Sequence, residues 1–313
     1  LEMLRVTDVR DLTAVAPSFS VSQSYQGVPT YTRRGIGFNT INLSATSTVG
    51  TYVDEVAYAY PIMNTGPVMD LERVEVLKGP QGTLYGRNTT AGLINFITGK
   101  PTDHFEGSVS ADLGNYKTYN LAGHISGPIA DGVSARLAFR SENSDKGWQV
   151  SNTRGERLGQ VDKLGLRGSL ALDPADGTHI DLSVTWWRNR SDTVAGQGIG
   201  FTPATDPVTG TSTSRFFNAP GIATYIANNM PTNATQADWA PEAARSADIG
   251  TGLGLDGPLR ENNRFWAFKG RLDQDLGDTM KLVSLTSYND FRRNALSDWS
   301  GAPYEVLLQN TVG

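Results

Sequence analysis

The sequence of 313 residues contains no cysteine, so disulfide frameworks, thiolate metal sites and cysteine nucleophiles are excluded. Its only histidines are His104, His124 and His179, and none has a carboxylate or nucleophile at a recognisable catalytic spacing. No enzyme is expected, and the residue pattern supplies neither a metal-ligand set nor a cofactor motif. No run of about 18 apolar residues occurs, which argues against an α-helical membrane span. Transmembrane β-strands are left open, because their apolar and polar residues alternate and cancel in any average. An excess of one charge is also missing: 27 basic against 32 acidic side chains give −5. Nucleic-acid binding, which wants a basic patch or stripe, gains no support. Leu1 follows no charged segment, apolar core and cleavage site, so no signal peptide is visible and the chain reads as one that has lost its start. The stretch from Gly92 to Lys100 is not a phosphate loop, since its glycines are too far apart and Pro101 follows the lysine.

What is present has two textures. Residues 1–101 are a compact mixed region, with a short helix expected over residues 8–14 and ended near Pro17. Strand-like runs follow at 49–56, 74–77 and 94–97, separated by glycine-rich turns. From residue 102, alternating strand signals recur between turn residues. Val109, Ala111 and Leu113 form one apolar face, and Tyr119, Leu121 and Ile125 the next. Val133, Ala135, Leu137 and Phe139 make a third, and Leu164, Leu166, Leu170 and Leu172 a fourth. Ile180, Leu182, Val184 and Trp186 give a fifth. Trp266, Phe268 and Leu272 give a sixth, opposing Lys269, Arg271 and Asp273. A seventh strand, around 281–288, has no clean faces.

Short and long connections mostly alternate. Tight turns at Asp131-Gly132, Asp176-Gly177 and Gly277-Asp278 contrast with a polar loop near 141–157 and a much longer one near 191–262. Short turns on one side and long loops on the other are the habit of an outer-membrane barrel. A loop as long as the second is usually functional. These seven strands cannot close a sheet in lipid, where an open edge leaves backbone groups unpaired, so further strands are expected.

Three segments carry a family resemblance. The first is Asp11-Leu12-Thr13-Ala14-Val15-Ala16-Pro17, followed by Arg34-Gly35-Ile36-Gly37. The second is Thr51-Tyr52-Val53-Asp54-Glu55-Val56, with Glu55 where glycine is usual. The third runs from Leu71 through Glu72, Arg73, Glu75, Gly79, Pro80, Gly82, Tyr85, Gly86 and Arg87, then Ala91 to Thr98. Together they resemble the plug domain of TonB-dependent receptors, tightly over the first hundred or so residues and only in general pattern beyond.

Read for their physics, Gly79-Pro80 and Gly82 make a chain reversal with close backbone packing and positive φ. Tyr85 brings a ring with one polar end, and Glu72, Arg73, Glu75 and Arg87 need charged partners if buried.

The resemblance implies a mixed α/β plug (1–101) followed by a transmembrane antiparallel β-barrel (102–313), with about seven strands of a barrel of about 22. It implies energy-coupled uptake of a scarce solute across the bacterial outer membrane, most often a ferric siderophore or similar metal chelate, with glycans, cobalamin and heme as other cargoes. The implied partners are outer-membrane lipid, the solute and a TonB-type protein of the inner membrane, whose docking box is not visible in this chain. Solute contacts are expected in apical loops near 36–47 and 58–69, with Tyr58, Tyr60, Met63 and Asn64 as candidates. A soluble β-rich binding module is the alternative of a different class, and a passive porin would need no glycine-rich domain before its strands.

Overall fold

The computed structural model describes residues 19–23, 28–33, 35–37, 45–198, 228–245, 255–303 and 308–313, with 13, 204–205, 212–213 and 225. The helix expected over 8–14 lies outside the described residues except for Thr13, and so does Arg34. The described residues fall into two compact units. One comprises 1–143, 162–189 and 263–292, and the other 144–161, 190–262 and 293–313.

In the first unit, β1 (Phe19–Gln23), β2 (Pro29–Arg33) and β3 (Ile36–Gly37) form a small antiparallel sheet. A second sheet has the order β5 (Val56–Ala57), β4 (Val49–Val53), β7 (Gly92–Thr98), β6 (Leu71–Lys78), with β4 and β7 parallel. Strand β7 reads Gly-Leu-Ile-Asn-Phe-Ile-Thr and is buried at six of seven positions. Such a near-continuous apolar run is what a strand covered on both faces requires. Ile94 and Phe96 pack with Phe19, Tyr31, Val49 and Ala91 into one core.

The expected strand over 49–56 is interrupted. Asp54 (φ 47°) and Glu55 (φ 70°) form the two-residue turn between β4 and β5, both left-handed. Hairpin turns of this hand match the twist of the flanking strands and favour Asp-Gly, so glutamate replaces the residue the turn prefers.

The remaining long strands form one antiparallel sheet. In chain order they are β8 (Glu106–Gly114), β9 (Thr118–Ala130), β10 (Val133–Ser144), β13 (Val161–Ala175), β14 (Thr178–Asn189), β18 (Glu261–Asp275), β19 (Lys281–Asp298) and β20 (Leu308–Val312). Each pairs with its neighbour in this list, an up-and-down meander with two free edges among the described residues. The sheet thus holds eight strands where the sequence pattern predicts seven. Strand β20 is short and polar, Leu-Gln-Asn-Thr-Val, and carries no alternating signal to read. The seventh strand runs ten residues beyond its expected end at 288, to Asp298.

Between these lie β11 (Gln149–Ser151), β12 (Arg157–Leu158), β15 (Ala204–Thr205), β16 (Ser212–Thr213) and β17 (Gln236–Ala237). In the second unit, β11 pairs with β12 and, in parallel, with β17. Leu158, Ala195, Ala237, Trp239, Leu259 and Leu296 give this unit its own core. Beside it Asp238 is buried and accepts from Ser151 Oγ (2.7 Å), Thr153 Oγ1 (2.7 Å) and the Tyr225 hydroxyl. Arg154 reaches Asp238 at 3.4 Å and lies over the Trp239 ring. A carboxylate with this many donors fixes loop segments distant in sequence.

Candidate functional site

Alternation decides which side chains of the long strands meet the plug-like sheets. Along β18, Glu261, Asn263 and Phe265 are buried while Asn262, Arg264, Trp266 and Phe268 are exposed. Arg136, Arg167, Thr185 and Trp187 share the buried side. The opposite side carries Val109, Leu121, Leu137, Leu166, Leu182 and Val184, all exposed.

Ion pairs knit the buried side to the turns of the plug region. Asp70, at φ 51°, stands immediately before β6, and Arg136 donates to it twice, from Nε at 2.8 Å and Nη2 at 2.6 Å. Arg136 Nη1 also reaches Glu106 at 2.7 Å. Gly99 lies against this guanidinium, and a Cβ there would sit 2.7 Å from Nη2. Asp54 accepts from the Thr98 N–H and hydroxyl, both at 2.8 Å, and pairs with Lys269 at 3.3 Å. Burial pushes the Asp54 carboxyl up, but Arg167, Lys269 and the two Thr98 hydrogen bonds outweigh it and hold it below the usual carboxylate range. Glu55 pairs with Arg271, and Lys100 approaches Asp181 at 3.8 Å.

The histidines do have carboxylate neighbours. His104 meets Asp103 at 2.7 Å and His179 meets Asp173 at 2.7 Å. Antiparallel register folds residues six apart into contact across the turn between β13 and β14, which spacing alone hides. His124 Nδ1 lies 3.1 Å from Ser108 Oγ and 3.6 Å from Asp70. Its Nε2 faces Glu106 at 3.8 Å, beyond hydrogen-bond distance, so no carboxylate orients the ring opposite the hydroxyl as a nucleophilic triad requires.

The motif residues behave unevenly. Arg73 pairs with Glu72 at 2.6 Å and Glu75 at 2.8 Å, and Asn95 donates to Glu75 at 3.4 Å. The first two partners answer the need for charge pairing, although the cluster is exposed. Arg87 is exposed as well. Gly35, Gly79 and Gly86 adopt positive φ (77°, 82° and 74°), while Gly82 begins a helical turn, Gly82–Tyr85. Close backbone packing does not occur at Gly79, Gly82 or Gly86, where an added Cβ would meet nothing within 4 Å. It occurs at Gly92, where φ is 137° and a Cβ would fall 2.5 Å from the Leu77 carbonyl oxygen. Pro80 occupies the bend between β6 and that turn. Tyr85 packs edge-on against Tyr52, whose hydroxyl donates to the Tyr85 carbonyl at 2.6 Å.

The candidate solute contacts divide. Tyr58, Met63 and Asn64 line a narrow cleft of about 60 Å³ with Arg167, Thr185 and Trp187, and Tyr60 lies outside it. Tyr58 packs edge-on against Phe265, centroids 5.2 Å apart, and burial pushes its hydroxyl up to about 12. Small-molecule pockets are about 300–1,000 Å³, so this cleft does not admit a whole chelate. Residues 38–44 of the other expected apical loop lie outside the described residues.

The family model of the TonB-dependent receptor plug domain matches residues 1–93. Residues 1–93 are thus a TonB-dependent receptor plug domain. The chain is 32% identical over 103 residues to the pesticin receptor of Yersinia enterocolitica, covering 31% of this chain and 15% of that protein. A ferripyoverdine receptor of Pseudomonas aeruginosa is 30% identical over 132 residues, 42% of this chain and 14% of the relative. The chain thus spans under a fifth of the length of either relative. Among solved structures, the ferric yersiniabactin uptake receptor of Yersinia pestis superposes with a TM-score of 0.71 at 18% identity. That match covers 99% of this chain and 41% of the other, so the strands after the plug have the fold of a receptor barrel wall in part.

Proposed function

We propose that this chain is the plug (1–101) and the first part of the barrel wall (102–313) of a receptor in the bacterial outer membrane. Its cargo is a ferric siderophore or similar metal chelate, taken up with energy from a TonB-type inner-membrane protein. The observation that carries the reading is the plug domain, joined to relatives named as pesticin and ferripyoverdine receptors and to the fold of a ferric yersiniabactin uptake receptor.

The outward side of the wall supports the membrane part. Leu121, Ile125, Leu137, Leu182, Val184 and Phe268 are all exposed, a band too apolar for water and suited to lipid. Trp186 and Trp266 pair across β14 and β18, and Phe268 stacks on Trp266 at 6.1 Å. Such outward rings are what an aromatic girdle at the membrane interface is built from. No helix among the described residues is long and apolar enough to cross a membrane.

Deleting the gene and measuring growth under iron limitation tests the proposal. Growth and radioactive iron uptake should fall and return on complementation. Unchanged iron uptake would remove the metal-chelate reading.

A further inference from the structure

Arg167 of β13 is 8% exposed. Its Nε donates to the neutral hydroxyl of Thr185 at 3.0 Å. Its Nη1 is buried and donates to nothing among the described residues. Asp54 feels the guanidinium charge but is already engaged by Lys269 and Thr98. The other inward arginine of this unit described above, Arg136, has two carboxylates.

Arg167 lines the cleft of about 60 Å³ described above, and a second orphan donor lines it too: the side-chain amide nitrogen of Asn64 is buried without a partner. Buried donors are hydrogen-bonded as a rule, and leaving one without an acceptor is costly. The cleft offers two donors, one of them cationic. It has room for about two waters at roughly 30 Å³ each, or for one small oxyanion.

We propose that Arg167 and Asn64 form a binding site for a single oxyanion group, a sulfate, phosphate or carboxylate, held between segment 58–69 and the inner side of β13 and β14. The arginine supplies charge and a directed N–H, and the amide supplies the second hydrogen bond. Trp187 and Met63 close the apolar side and limit the occupant to one small group. The group can come from a free inorganic anion or from an acidic arm of the solute. The anion site itself does not rest on the uptake reading.

The test is thermal unfolding of the protein purified in detergent, titrated with sulfate at ionic strength held constant with chloride. The wild type should show a saturable rise in Tm. Arg167→Met should abolish the rise, because it removes both the charge and the orphan donor. Arg167→Lys should retain part of it. Asn64→Leu provides an independent variant and should raise the sulfate midpoint severalfold. No saturable rise in the wild type, or a wild-type rise and midpoint in Asn64→Leu and Arg167→Met, overturns the site. Uptake of radioactive iron equilibrated with the organism's own spent medium separates the two sources. Loss of uptake in Arg167→Met with rescue by Arg167→Lys assigns the site to the solute. Unchanged uptake beside a lost sulfate response assigns it to a free anion.

Discussion

Asp70 and Arg136 are joined by two parallel hydrogen bonds of 2.6 and 2.8 Å, both side chains more than nine-tenths buried. The pair ties the turn before β6 to the inner side of β10, 66 residues away in sequence. Its geometry is the fork-to-fork arrangement in which arginine binds carboxylate most strongly.

Removing one partner strands the other. Asp70→Asn or Arg136→Met should each destabilise the plug against the wall by about 3–5 kcal/mol. The double change Asp70→Leu with Arg136→Met should recover most of that loss. Urea unfolding of the protein in detergent measures both, and a double variant destabilised by the sum of the two single losses would refute coupling.

Glu55 sets two opposed effects against each other. Its left-handed backbone costs about 1–2 kcal/mol relative to glycine. Its ion pair with Arg271 is half exposed on the glutamate side and contributes at most about 1 kcal/mol. Glu55→Gly should therefore leave stability unchanged or raise it by up to about 1 kcal/mol, while Glu55→Val should lower it. A clear loss in Glu55→Gly would show that the pair outweighs the turn.

Asp54 predicts an acid dependence. Its carboxyl is held lower in the fold than the unfolded value of about 3.9, so its contribution is fully present above that pH. The contribution is lost as pH falls through the lower folded value. Asp54→Asn should flatten stability against pH below about 4 relative to the wild type. Parallel curves would contradict the assignment.

Two glycines should respond differently to alanine. Gly92→Ala combines a positive φ with a Cβ 2.5 Å from the Leu77 oxygen and should cost at least about 2 kcal/mol. Gly79→Ala meets open space and should cost only the backbone penalty of about 1 kcal/mol. Matching losses in denaturant titrations would count against this register of β6 on β7.

Local pattern carried much of this fold. Alternation along residues 261–275 separates Trp266 and Phe268 from Lys269 and Arg271, and the structure keeps the two sets on opposite sides. The plug motif was readable because its turn glycines and charged strand stand in fixed order. Contacts between distant segments were not readable. Nothing near Asp70 in sequence points to Arg136, and nothing near Arg167 points to the cleft that it lines with Asn64. Strand β20 escaped because its polar run carries no period, and the Asp173 partner of His179 escaped because register, not spacing, brings the two together.

The central claim is that the exposed side of the long strands faces lipid. Because the chain has no cysteine, single cysteines can be placed at Leu182 and at its neighbour Ser183 and labelled with a fluorophore in reconstituted vesicles. Brominated lipid should quench the label at 182 strongly and the label at 183 little. Equal quenching at both, or quenching by aqueous iodide alone at 182, would contradict a membrane-spanning wall.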